Sequence, residues 1–197
     1  ISSKGGSVED IWNGEAMKEM RRSVLDGDFT YCNRSLCPYI VANLLPLKKD
    51  VQDPKLREII DTHRLILEDG PKLLSLTHDA SCNLACPSCR ADIITINKKE
   101  RDALDLYADQ YLFPLLEEAG ITVYVSGNGD PFGSKHLRRF IHGLDPVKHG
   151  GVRLELLTNG LLLTKKEWDS LSHVHHMISS IAVSIDAATS ATYEDVR

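Results

Sequence analysis

From Lys72 onward the sequence alternates short apolar runs with amphipathic ones, and this alternation restricts the fold more than any other feature. Strands are predicted at 73–77, 121–126, 152–158 and 181–185, each apolar and bounded by turn residues. Helices are predicted at roughly 98–119, 134–143 and 165–172, the last with Thr164 and Glu167 in capping-box spacing. Four strand-helix units over residues 72–197 give about 31 residues per unit, the length of a right-handed crossover between parallel strands. An open doubly wound sheet and part of a barrel both satisfy the pattern, and both collect ligands at the carboxyl ends of their strands. The unusual residues fall there each time. Cys82, Cys86 and Cys89 follow the first strand, Gly127-Asn128-Gly129-Asp130 the second, Thr158-Asn159-Gly160 the third and Asp186 the fourth.

Residues 1–70 read differently. After a glycine- and serine-rich lead-in over 1–7, Met17, Met20 and Val24 recur at helical spacing up to Asp26-Gly27. A second helix begins at Asp53-Pro54, an N-cap acid followed by proline, and is expected to run to about Leu67. The chain opens with Ile1 rather than Met and reaches Arg197 in what reads as the first turn of a helix, so a fragment of a longer protein is expected. A net charge of -5 without a basic block disfavours nucleic acid as a partner. No apolar run approaches membrane-spanning length and no signal-peptide layout is seen, which makes the cytoplasm the expected location, away from membranes.

Five cysteines, an odd count with three packed into eight residues, suit a metal or cluster site better than a disulphide framework. Three thiolates on one C-x3-C-x2-C loop can hold three irons of a cubane and leave the fourth open. A structural zinc site is the alternative, and its fourth ligand would come from Cys32, Cys37 or His78. His78 is the only histidine placed to touch the cysteine region, while His173, His175 and His176 read as a solvated helix end. The Gly127-to-Asp130 turn lets backbone approach a small ligand closely and offers carbonyls and one carboxylate to an ammonium group; an ordinary strand-to-helix turn with Asp130 as a cap is the other reading. Thr158-Asn159-Gly160 is first of all a turn and receives no catalytic role. Ser184 and Asp186 are two apart and so lie on the same side of the last strand, although Asp186 also reads as a helix N-terminal acid.

Cys82-Asn83-Leu84-Ala85-Cys86-Pro87-Ser88-Cys89-Arg90 resembles the signature of the radical SAM superfamily, and Ser126-Gly127-Asn128-Gly129-Asp130-Pro131-Phe132 resembles its second motif, often Gly-Gly-Glu-Pro. The similarity covers about residues 72–197. Ser88 stands where the family usually has an aromatic residue, and Asp130 replaces the glutamate. The resemblance implies an α/β fold with a partial (β/α) barrel of the radical SAM type, 71–197 being the truncated N-terminal part of that core. It implies a [4Fe-4S] cluster on Cys82, Cys86 and Cys89. S-adenosylmethionine would be bound by Gly127, Asn128, Gly129 and Asp130 at its amino group and by Ser184 and Asp186 at its ribose, with Arg197 as a candidate for its carboxylate. The implied reaction splits the sulphonium with an electron from the cluster and yields a 5'-deoxyadenosyl radical that takes hydrogen from substrate. A flavodoxin or ferredoxin would donate the electron, and the substrate would be a small molecule, a peptide or a protein.

Within the small, mainly helical segment 1–70, Trp12-Asn13-Gly14, Met20-Arg21-Arg22, Gly27-Asp28 and Cys32-Asn33-Arg34-Ser35-Leu36-Cys37-Pro38 resemble the closing portion of a SPASM auxiliary domain. That resemblance implies a possible auxiliary iron-sulphur cluster at Cys32 and Cys37, with further ligands from elsewhere. A pair of buried thiols or a zinc knuckle is the alternative. Two further functions stay open for the chain, a non-catalytic zinc- or cluster-stapled binding module and an electron carrier with a fully ligated cluster.

Overall fold

The computed structural model describes residues 8–117, 120–125 and 128–196. The chain divides into two compact units, Ile1–Gly70 and Pro71–Arg197.

In the first unit, a short helix at Val8–Trp12 precedes α1 (Glu15–Asp26), which stops at Gly27. The next labelled helix, α2 (Pro54–Thr62), starts with Asp53 accepting from the Leu56 amide. It ends five residues short of the expected Leu67, because His63 turns into the left-handed conformation and its amide closes the helix end on Ile59 and Ile60. Polar side chains join the two ends of this unit. Asn13 exchanges two hydrogen bonds with the Leu67 backbone (2.9 Å each), and Trp12 Nε1 donates to Asp69 O. Arg21 lies over the Trp12 ring at 4.5 Å and donates to Leu65 O.

The second unit is a four-stranded parallel sheet in the order β1 (Leu73–Leu76), β2 (Thr122–Val125), β3 (Arg153–Thr158) and β4 (Ile178–Val183). The strands neighbour one another in chain order. A doubly wound sheet reverses its order at a switch point, whereas an arc of a β/α barrel does not, so the sequential order selects the barrel arc. Between the strands run α3 (Lys98–Tyr107), α4 (Lys135–His142) and α5 (Lys165–Ser170), and α6 (Ser190–Val196) follows β4. The single helix expected over 98–119 is α3 continued by a π-helical turn at Ala108–Leu112 and a last helical turn at Phe113–Leu116. α3 opens with a complete capping box between Asn97 and Glu100.

At α5 the expected capping box is only half made. Thr164 accepts from the Glu167 amide, but the buried Glu167 carboxylate turns to the Arg138 guanidinium and to His142 Nε2 at 3.1 Å on α4. A two-pronged charged partner outcompetes one backbone N–H for a carboxylate.

Strand burial follows period two. In β3, Leu154, Leu156 and Thr158 are buried and alternate with Arg153, Glu155 and Leu157, which are more open. Leu76, Val123, Val125, Leu154 and Leu156 build the core together with Leu137, Phe140 and Ile141 of α4. Full burial of each large apolar side chain stabilises by about 1.5–3 kcal/mol. β4 lies three residues earlier than expected at its start, because its edges are set by pairing with β3, from Leu154↔Ile178 to Thr158↔Val183, across a register shift at Leu154/Glu155. Ser184 and Asp186 therefore lie beyond the strand, in the connection to α6. Among the described residues no helix is long and apolar enough to cross a membrane.

Candidate active site

The cysteine loop leaves β1 through a segment whose polar groups are bound on both sides. Asp79 is fully buried; its Oδ1 accepts from the Ser81 amide at 2.8 Å, and its Oδ2 accepts from the Ser134 hydroxyl, which itself caps α4 by accepting from Leu137 N. Ser81 Oγ accepts from Ile96 N, and Cys82 N donates to Ile94 O, so the two ends of the loop are drawn together. Inside the loop the amides of Cys89 and Arg90 both donate to Cys86 O, forming a tight turn across Pro87-Ser88. The Cys86 side chain is buried, Cys82 is half-buried and Cys89 is exposed.

The second loop is fitted against the first. A Cβ built on Gly129 would stand 2.4 Å from Ser81 O and 2.9 Å from Ala80 C, so only glycine permits this approach of backbone to backbone. The Asp130 amide then donates to Ser81 O at 2.9 Å. Arg90 bridges the two loops from the other side, donating to Ala80 O at 2.7 Å and Asn128 O at 2.8 Å while touching Cys89 Sγ at 3.5 Å. Its hydrogen bond to Cys89 raises the guanidinium pKa above its ordinary value, in opposition to its partial burial.

Asp130 has an inward position. Its side chain is 1% exposed; Oδ1 accepts from the amides of Phe132 and Gly133 at 2.9 and 3.1 Å, and Oδ2 accepts from Thr158 Oγ1 and Asn159 N, both at 2.7 Å. Four donors from the protein fill the roughly four acceptor sites of a carboxylate. In this arrangement Asp130 fastens the second loop to the end of β3.

A cleft of about 220 Å³ opens where the four strand ends meet. Cys82, Cys86 and Cys89 line it, as do Asn128 and Gly129 from the second loop and Ser184 and Asp186 from beyond β4. Gly127 and Arg197 lie outside the described residues. Asn159, given no catalytic role in the sequence reading, also lines the cleft, with Nδ2 3.8 Å from Cys82 Sγ and 2.9 Å from Asn83 Oδ1. Sequence reading missed it because Asn-Gly is a common turn pair, and the one available signal was its place after β3. Asp79 was missed for a different reason: an acid one residue beyond a histidine carries no motif.

His78 does not join the cysteines. Its Nε2 meets His136 Nε2 at 3.0 Å, and His136, almost wholly buried, holds Asp105 Oδ1 through Nδ1 at 2.7 Å. His78 follows the end of β1 and is held by α4 through His136, with Asp105 of α3 behind it. Of the other histidine group, His175 stacks on Trp168 at 3.9 Å and His173 bonds His142 O, while His176 is exposed as expected. Among the described residues no three His, Cys, Asp or Glu side chains are grouped so as to hold a metal ion. The three thiols do share one cleft, which suits a body with separate corners, since thiolates on different irons of a cubane need not converge on one point.

No known family model matches the sequence, and no curated protein matches it. Among solved structures, BtrN in complex with AdoMet and 2-DOIA is similar at 19% identity with a TM-score of 0.42, over 66% of this chain and 52% of that one. Selenomethionine BtrN in an open conformation is similar at 19% identity with a TM-score of 0.42, over 62% of this chain and 54% of that one. The chain spans about half the length of these structures.

Proposed function

We propose that residues 71–197 form the cofactor-binding part of a radical SAM enzyme, holding a [4Fe-4S] cluster on Cys82, Cys86 and Cys89 and S-adenosylmethionine beside it. The observation that carries this reading is the shared cleft, in which a C-x3-C-x2-C loop meets a glycine loop and two polar residues from beyond β4. When bound, the reduced cluster supplies the electron that divides S-adenosylmethionine into methionine and a 5'-deoxyadenosyl radical, the species that removes hydrogen from substrate.

The chain's own residues bind and orient. Asn128 and Gly129 bring backbone into the cleft beside the cysteines, where it can receive the methionine amino group, with Gly127 next to them in sequence. Asp130 shapes that loop from behind. Ser184 and Asp186 offer a hydroxyl and a carboxylate to the ribose diol, as their shared placement on the cleft favours. Arg90 sets a positive charge against the anionic site. A flavodoxin or ferredoxin as electron donor, and a small-molecule, peptide or protein substrate, complete the proposal.

Anaerobic reconstitution with iron and sulphide tests the reading. The expected product is a brown protein with about four irons per chain, whose reduced paramagnetic resonance signal changes when S-adenosylmethionine is added. Stoichiometric zinc with no iron uptake would overturn it in favour of a zinc-stapled module, and a signal indifferent to S-adenosylmethionine would favour an electron carrier.

A further inference from the structure

The end of β3 contributes more to the cleft than a turn. Thr158 and Asn159 stand 28 and 29 residues from Asp130 in sequence, yet the Thr158 hydroxyl and the Asn159 amide both donate to the same buried oxygen, Asp130 Oδ2. The Asn159 side chain is fixed at both of its ends. Its Oδ1 accepts from Leu161 N at 3.0 Å, which settles which end of the amide points away from the cleft. The Nδ2 group, with two protons, then faces the cysteine loop, 2.9 Å from Asn83 Oδ1 and 3.8 Å from Cys82 Sγ. One donor thus spans the first cysteine and the residue after it, and its backbone rests on a carboxylate shielded from water.

We propose that Asn159 is a positioning residue for the cysteine loop, holding the Cys82 sulphur by an N–H···S hydrogen bond whose direction is set by Asp130. The inference rests on the cluster reading above and extends it to a residue outside the cysteine and glycine motifs. Hydrogen bonds to the sulphurs are among the factors that set the potential of an iron-sulphur cluster, because a donor proton stabilises the more negative, reduced state. Asn159 therefore makes the bound cluster easier to reduce.

The experiment compares the reconstituted full chain with its Asn159→Ala and Asn159→Leu variants. Leucine preserves the side-chain volume without the donor and so covers the case in which alanine unfolds the loop. Iron content is measured first: wild type that takes up no iron refutes the cluster reading itself, independently of Asn159. With iron bound, both variants should show a lower midpoint potential in a redox titration. A tenfold weaker one-electron reduction corresponds to about 59 mV, and the paramagnetic resonance signal of the reduced cluster should shift in line shape. Loss of iron from a variant whose circular dichroism matches wild type would equally support a holding role. Variants with wild-type iron content, potential and line shape would overturn the proposal.

Discussion

The two cysteine-bearing regions differ in what lies behind the sulphurs. Around Cys32 and Cys37 the bonds are local: Asn33 Oδ1 accepts from Ser35 and Leu36 within three residues, and Leu36, at 76% exposure, stands in solvent with Tyr39 and Val41. Around Cys82, Cys86 and Cys89 the bonds are long-range, and the acids that make them, Asp79 and Asp130, are buried. Cysteine spacing supplies donors in both places. Only the second has a scaffold that keeps its loop in one conformation against neighbouring strand ends, and such preorganisation is what a site for a reactive cofactor requires.

The hardest test of this contrast is removal of the sulphurs. Replacing Cys82, Cys86 or Cys89 with alanine should abolish the iron chromophore, whereas Cys32→Ala and Cys37→Ala should leave it in place. Iron above four per chain that falls in the latter two variants would instead assign an auxiliary cluster to the first unit.

A smaller but still large effect is expected at the acids. Asp130→Asn puts an amide where three N–H groups and a hydroxyl donate, and should cost about 1.5–3 kcal/mol, the usual range for hydrogen bonds to a charged group. It should also lower iron retention. Asp28→Asn is the matching change in the first unit, where an exposed carboxylate accepts from the amide and hydroxyl of nearby Thr30, and no measurable change is expected. Urea unfolding followed by Trp168 fluorescence in a Trp12→Phe background reads the first effect; equal midpoints for Asp130→Asn and its parent would remove the scaffold from the comparison.

Gly129→Ala is expected to destabilise by about 1–3 kcal/mol, the range for overpacking, because the new Cβ meets backbone rather than a yielding side chain. The same unfolding measurement applies, and a stability within 0.5 kcal/mol of the parent, roughly the scatter of neutral surface changes, would show that the loops part easily.

The smallest effect concerns His78, which joins β1 to the helices and not to the cysteines. Burial first and His136 second hold its imidazole below the ordinary value, with Asp79 opposing. Asp105 lies beyond His136. The unfolded chain then binds the proton at a higher pH, near 6.5, than the folded one does. Stability from this group is complete above that pH and declines as pH falls through the interval below it. His78→Gln should flatten the fall in urea midpoint between pH 7 and pH 5, and an unchanged slope would contradict this account.

Much of the fold was legible because it is local. Strand-helix alternation, the Asp53 cap and the C-x3-C-x2-C loop each depend on residues within a few positions, so period and turn chemistry expose them. Where partners are distant the reading stopped. Glu167 was legible as a capping residue and not as the partner of Arg138; His78 was placed near the cysteines by sequence proximity, although its partner is His136, 58 residues away.

The sequence alone determined that three thiols would stand on one loop after a strand, since a nine-residue stretch contains all the atoms involved. Only the tertiary structure decided what those thiols face. Asn159 reaches Cys82 across 77 residues, and Asp130 reaches Thr158 across 28, because sequential parallel pairing places the ends of β1, β2 and β3 side by side. Such contacts depend on strand order and register, which are fixed when the whole sheet forms and buries its core, and no local pattern contains them.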